Sequence, residues 1–374
     1  MVVKLLIDYQ RCPVRFMLRK TRLDPTIFDL PVEQMAAGFY SDKYFVRARD
    51  ILLADNHAPN VLMQVFSRTS AFLAGMDEAI AILKLCSSAW DALTVHALYD
   101  GDSISPWETV MTVEGPYPVF AHLETLYLGV LSRRTRVSTN THRVVDAARP
   151  KEIMFFPARH DLWSVQAGDG YAAHIAGATS VSTDAQASWS GNKGVGTVPH
   201  ALIAAYGGDT VLATRKLAEQ ISAAVRLVTL VDFDNSCVET SVAVARELGD
   251  RLYGVRLDTS ATLVDQSLTT NQTGNIDLDL YGGVNEHLVN NVRQALDAAG
   301  FEGVKIIVSG GMTVEKIQRF EAKKVPCDAY GVGSSLLSGQ GSFDFTADIV
   351  MVNGVKCAKV GREYRPNESL QLVD

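Results

Sequence analysis

The chain has no Cys-x-x-Cys pair. Its five cysteines, Cys12, Cys86, Cys237, Cys327 and Cys357, are odd in number and scattered. That spacing excludes a cysteine zinc cluster and argues against a disulfide framework, so a reduced, cytoplasmic protein is expected. No uninterrupted apolar run reaches the roughly 18 residues of a membrane helix. The opening MVVKLLIDYQRCPVRF breaks its apolar run too early for a signal peptide. There is no long basic run, and the formal net charge is -7, which argues against a nucleic-acid surface. No low-complexity segment and no internal repeat beyond a strand–helix rhythm is present.

What remains is an ordinary globular chain of 374 residues, 47% hydrophobic and 21% charged, long enough for two or three domains. Residues 1–35 carry no clear period. Gly38 to Leu53 is aromatic and polar, then strand-like. Val61 to Leu85 starts as a strand and becomes an amphipathic helix, and Leu93 to Gly115 is β-like with a turn at Tyr99 to Asp102. A helix is expected at roughly His122 to Arg133.

From about Lys151 the alternation is regular. Strands are expected at 153–156, 180–182, 227–231, 252–257, 304–308 and 329–332. Helices are expected at 170–178, 197–206, 210–224, 237–248, 286–299 and 313–323. Repeated βα units imply a parallel sheet, open or closed into a barrel. The expected organisation is an N-terminal α+β domain (1–115), an α/β barrel (116–338) and a β-rich segment (339–374) that returns to the first domain.

Four features carry chemistry. The strand Leu252 to Leu257 ends in Asp258-Thr259-Ser260 and holds Arg256 within its apolar run. Arg256 and Asp258 are two apart and share one face. They are either an ion pair closing the sheet or a functional pair. In the second case Asp258 holds ribose hydroxyls or a metal-bound water, and Arg256 neutralises a phosphate or carboxylate. The turns Ser309-Gly310-Gly311 and Gly331-Val332-Gly333-Ser334-Ser335 close consecutive strands. They match a phosphate site built from backbone N–H groups, against the alternative of tight turns alone. GNKGVGTVPHALI (191–203) is a Gly-rich loop with Thr197 as expected N-cap and His200 in the first helical turn. His200 is read as nucleophile or base, against a structural histidine, and a phosphate there would meet helix N-terminal N–H groups. FFPARHD (155–161) brings Phe156 and Arg159 to a strand end. Together they suit a flat aromatic acid, against a core Phe and a solvated Arg, while His160 and Asp161 read as surface residues.

Together, in this order, these features resemble the nicotinate phosphoribosyltransferase family (type II phosphoribosyltransferases) over most of residues 38–335. SDKYF (41–45), LETLYLGVLSRRTRVSTNTHR (123–143), FPAR, GTVPHALI, GVRLDTS, SGG and GVGSS are similar to its ordered motifs. The resemblance implies a TIM-like (β/α) barrel with an N-terminal α+β domain. It also implies a homodimer or higher homo-oligomer with a shared active site. The implied reaction is nicotinate plus phosphoribosyl pyrophosphate to nicotinate mononucleotide and pyrophosphate, with Mg2+ and ATP as co-substrate. By carry-over Phe156 stacks on the pyridine, with Tyr44 of the partner subunit on its other face. Arg159 meets the carboxylate, with Arg143, Thr179 and Ser180 among the substrate residues. Asp258 holds the ribose and Arg256 faces phosphate. Gly196, Thr197, Ser309, Gly310, Gly311, Gly331, Gly333 and Ser334 receive phosphate, and His200 is phosphorylated. No direct protein metal ligand is expected. Asp232 and Asp258 reach a metal through water, and no zinc is expected.

The sequence departs from the family at VDFDNS (231–236) and at Thr259-Ser260-Ala261, which replaces Ser-Gly-Asp. GATSVST (177–183) lacks the Asp that nicotinamide-using relatives place there, which favours the acid. The competing readings are a quinolinate (decarboxylating) enzyme, suggested by Arg133, Arg134, Arg136 and Arg143, a nicotinamide enzyme, and a phosphosugar-binding barrel without turnover.

Overall fold

A computed structural model describes residues 21–269, 277–338 and 341–374. Cys12, the whole stretch read for a signal peptide and the start of segment 1–35 lie outside the described residues.

An antiparallel sheet forms the first half. Its centre is β1 (Asn60–Ser67), β2 (Thr94–Ala97) and β3 (Thr109–Pro116), with β3 between the other two. The C-terminal strand Phe345–Val352 pairs antiparallel with the free edge of β1, and Gln371–Leu372 pairs with β2. The strand-like later part of Gly38 to Leu53 is instead part of helix α1 (Lys43–Ala54). Its Lys, Arg, Ala and Leu favour helix, with Val46 and Ile51 its only β-branched residues. It buries no residue, so no sheet neighbour overrides that preference.

Helix α2 (Met76–Cys86) is almost entirely buried against this sheet. Helix α3 (Glu124–Ala148) runs well past its expected end near Arg133. Its Ser/Thr-rich middle is held by cross-domain bonds. The Thr139 hydroxyl accepts from the Phe72 N–H at 3.0 Å, Thr135 accepts from Ala74 at 3.2 Å, and Ser138 donates to the Phe72 carbonyl. Such contacts outweigh the weak helix propensity of Thr and Ser. The helix feeds both cores: Tyr127 and Leu131 pack with the first sheet, Val137, Val144 and Ala148 with the barrel.

The second sheet is parallel. Its strands are β4 (Glu152–Phe155), β5 (Ser180–Val181), β6 (Leu227–Leu230), β7 (Leu252–Leu257), β8 (Lys305–Val308) and β9 (Ala329–Val332). Their spatial order is β5-β4-β9-β8-β7-β6. Residues 195–198 join the two edges. The Val195 N–H donates to the Val181 carbonyl at 2.8 Å, and the Val198 N–H to the Val228 carbonyl at 2.9 Å. The glycine-rich loop therefore closes the curled sheet into a TIM-like barrel.

Side chains alternate across these strands. Ile153, Phe155, Val255, Leu257, Ile306, Val308, Tyr330 and Val332 belong to the core shared with the surrounding helices. Met154, Val228, Ile307 and Ala329 pack with Tyr253 as a separate apolar cluster inside the ring. Polar residues begin one layer higher, at the strand C-termini. Among the described residues, no helix is long and apolar enough to cross a membrane.

Candidate active site

The end of β7 sets the centre. The Arg256 Nε donates to the Ser309 hydroxyl at 2.8 Å, and that hydroxyl lies 2.7 Å from Asp258 Oδ1. Arg256 Nη2 reaches Asp258 Oδ2 at 3.4 Å. Ser309, at the end of the neighbouring strand β8, thus joins the cation and the carboxylate of β7. The Arg256 guanidinium also lies 5.1 Å from the centre of the Phe156 ring, within cation–π range. Phe156 is placed by its own N–H, which donates to the Val332 carbonyl at 2.8 Å. Its ring lies across Gly331: a Cβ there would sit 2.9 Å from Phe156 Cδ2.

Two glycine turns form the rim. Gly310 and Gly311 have φ of +81° and +64°, a conformation that disfavours other residues. Gly310 closes against the Thr259 and Asp258 carbonyl region, while Gly311 faces open space. The Ser335 hydroxyl donates to the Met312 carbonyl at 2.8 Å and ties this turn to the Gly331–Ser335 turn. Ser334 is exposed beside it. Two glycine turns at adjacent strand ends suit a phosphate.

His200 stands at the other side of the mouth. Its Nε2 lies 3.0 Å from Asp232 Oδ1. The imidazole is 42% exposed and the carboxylate 7%. Burial pushes the Asp232 carboxyl above its usual value, and the bond to His200 opposes that rise. Asp232 directly follows the buried run of β6, and that position was its sequence signal. Asp234 points away. It accepts from the Ser236 N–H and the Thr240 hydroxyl at the start of the next helix.

Several expectations change. Thr197 is not an N-cap: helix α4 (His200–Ala205) starts at His200, with Pro199 at the cap position and no capping side chain. Pro199 holds Val198 extended, and Val198 bridges to Thr229, so the chain stays strand-like up to the proline. Helix α4 is six residues long. Gly196 and Thr197 lie on the closing segment beside it. Thr179 is at the wrong end of the barrel: it precedes β5, and its hydroxyl and N–H both donate to the Ile153 carbonyl. Ser180 pairs in register with Met154, one layer below Phe156. The strand begins at Ser180, so these positions fall at its N-terminal end. Thr259 is 3% exposed and contacts the Cys237 thiol at 3.6 Å, so this residue of the altered corner is a packing position, while Ser260 and Ala261 are exposed.

Arg159 is exposed on the 3-10 turn Ala158–His160. His160, read as a surface residue, lies over the rim: a Gly333 Cβ would be 3.2 Å from its Cε1. Arg143 lies on α3 with its guanidinium 5.8 Å from the Phe343 ring centre. Tyr44 is on the first domain, 62% exposed, against Phe45 at 4.3 Å between ring centres. Among the described residues no group of three metal-binding side chains converges.

Residues 42–135 match the family model described as quinolinate phosphoribosyl transferase, N-terminal domain. The chain is similar to the nicotinate phosphoribosyltransferase of Bacillus subtilis (strain 168), 28% identical over 65% of this chain and 45% of that protein. The chain therefore spans less than half of that relative. It is similar to nicotinate phosphoribosyltransferase pncB1 of Mycobacterium tuberculosis, 28% identical over 88% of this chain and 76% of that protein. Among solved structures, nicotinate-nucleotide pyrophosphorylase from Pyrococcus furiosus superposes with a TM-score of 0.76. It is 31% identical and covers 92% of this chain and 85% of that one. Human nicotinic acid phosphoribosyltransferase shares the fold at TM-score 0.62 and 17% identity, over 85% of this chain and 75% of that one.

Proposed function

The chain belongs to the nicotinate phosphoribosyltransferase family of type II phosphoribosyltransferases, and we propose that it joins nicotinate to phosphoribosyl pyrophosphate in NAD biosynthesis. The observation that carries this reading is the Arg256–Ser309–Asp258 chain beneath two phosphate turns and beside Phe156. The turns receive the 5′-phosphate. Asp258 accepts from ribose hydroxyls, and Arg256 faces the departing pyrophosphate. Phe156 stacks on the pyridine and Arg159 takes its carboxylate. The ring nitrogen attacks the anomeric carbon as the C–O bond to pyrophosphate breaks, and the bonding pair leaves with pyrophosphate. The charge that builds on the sugar needs positioning and electrostatics more than a base.

Asp258 and Asp232 face the same mouth, close enough that the Asp258 charge acts on Asp232. Two carboxylates so placed fit a magnesium ion held through water, which supplies charge neutralisation to the leaving group. ATP coupling falls to His200. With its Nε2–H donating to Asp232, Nδ1 carries the lone pair, attacks the γ-phosphate and releases ADP. The reading includes a homodimer in the cytoplasm, in which Tyr44 of a second copy covers the pyridine. The exposed Phe39, Tyr40 and Tyr44 support it.

A quinolinate enzyme is the second reading, favoured by the family model matched at residues 42–135. A diacid needs further free cations. Arg133 and Arg134 are already engaged by Asp161, Asp169 and Glu78, which removes two of the four arginines from that role, while the buried Arg136 Nε has no hydrogen-bond partner among the described residues. A panel of nicotinate, quinolinate and nicotinamide, each with phosphoribosyl pyrophosphate, magnesium and ATP, decides between them by product identification. Nicotinate mononucleotide from quinolinate with release of CO2, and none from nicotinate, would overturn the proposal.

A further inference from the structure

A continuous run of charge links the first domain to the loop that carries Phe156 and Arg159. Glu78, on α2, accepts from Arg134 Nε and Nη2 at 2.8 and 3.2 Å. Arg134 Nη1 donates to Asp169 Oδ1 at 2.9 Å, on the helix Gln166–Ile175. Arg133 grips the same carboxylate with two donors, at 3.0 and 2.8 Å. The Arg133 Nη2 also donates to Asp161 Oδ2 at 2.6 Å. Glu78, Arg134 and Asp169 are buried, so this part of the run is fixed. Removing one member would strand a buried charge. Asp161 is the surface end, with its side chain 32% exposed.

The loop itself is weakly packed. Arg159, His160, Leu162 and Trp163 are all exposed, and Trp163 is 83% so. Its near end is pinned by the Phe156 N–H on Val332. Asp161 pins the far side, accepting from Arg133 with one oxygen and from the Leu162 N–H with the other at 2.7 Å. Arg133 has its Nε and Nη2 committed to these carboxylates, so it is not placed as a substrate contact.

We infer that Arg133 is a positioning residue that acts through Asp161 to hold the acceptor loop, with Phe156 and Arg159, in place over the barrel mouth. The inference rests on the reading of that loop as the pyridine pocket. It assigns acceptor affinity, rather than phosphate handling, to a side chain on the helix shared by both domains.

The test uses Asp161→Asn, which cuts only the surface end, beside Arg133→Gln and Arg133→Lys. Amide hydrogen exchange of residues 157–163 should quicken in Asp161→Asn while the barrel strands stay unchanged. The KM for nicotinate should rise about tenfold, the value of one charge-assisted bond, with kcat and the KM for phosphoribosyl pyrophosphate within about twofold of wild type. Arg133→Lys should recover part of the affinity lost in Arg133→Gln, and adding Asp161→Asn to Arg133→Gln should cost nothing more. Unchanged loop exchange in Asp161→Asn, or both KM values rising together, would overturn the inference. Failure of the wild type to use any pyridine acid would sink the functional reading instead, and the exchange data would still judge the strut.

Discussion

The Nε2 of His200 and the Oδ1 of Asp232 stand 3.0 Å apart across the barrel's closing edge. One residue opens the helix that follows the loop joining the sheet's edges, and the other is the second residue after β6. The pair fixes which ring nitrogen is free, and from it follows the first prediction.

Asp232→Asn should uncouple ATP hydrolysis from nucleotide formation. The amide can present either a donor or an acceptor to the ring, so the tautomer is no longer set. Acid-labile phosphate on His200 and ADP released per nicotinate mononucleotide should both fall by about tenfold or more. Wild-type stoichiometry in this variant would remove Asp232 from the mechanism.

Gly331→Ala should damage pyridine binding. The added methyl meets the Phe156 ring at 2.9 Å, and the backbone at 331 is not left-handed, so the fold tolerates the change. Overpacking of this kind costs roughly 1–3 kcal/mol, which sets the expected loss in nicotinate kcat/KM at about 5- to 150-fold. Equal losses for both substrates would argue that the turn, not the ring, was disturbed.

Ser309→Ala removes the hydroxyl between Arg256 and Asp258. Bonds to charged groups are worth about 1.5–3 kcal/mol, so kcat/KM for phosphoribosyl pyrophosphate should drop by about 10- to 150-fold. Ser309→Thr keeps the oxygen and should retain more activity than Ser309→Ala. Steady-state kinetics on the two variants provide the comparison.

Stability should fall between about pH 6.5 and 8. Burial, with Asp348 and Asp42 nearby, pushes the Glu124 carboxyl up to about 8. The folded chain therefore keeps a proton that the unfolded chain releases near 4.5, and this contribution fades as pH rises toward 8. Buried His122 is depressed to about 4 and acts in the opposite sense, but only below its ordinary 6.5. Thermal melts should show the midpoint dropping across pH 6.5–8, with a flatter profile in Glu124→Gln. A profile unchanged by that substitution would assign the slope elsewhere.

The strand ends were the most readable part of the chain. Arg256, Asp258, Ser309 and the glycine turns lie where period-two patterning and turn chemistry put them, because each signal is local. The failures are tertiary. Thr197 looked like a cap because nothing in the sequence says that Val198 bridges to Thr229. The far half of α3 looked non-helical because the hydroxyls that stabilise it bond to Phe72 and Ala74, more than sixty residues away. Asp161 does lie at the surface, but its ion pair could not be read because its partner, Arg133, comes from another element. Thr179 was misplaced because the short β5 gives no sequence cue to which end faces the mouth.

The helix Glu124–Ala148 leaves the molecule without a seam. Cutting the chain at 115/116 would take Phe120, Leu123, Tyr127 and Leu131 away from the first core and leave them as apolar surface on the other fragment. Neither piece would carry a finished interior, so the two halves should melt as one body and resist being traded as separate modules between chains.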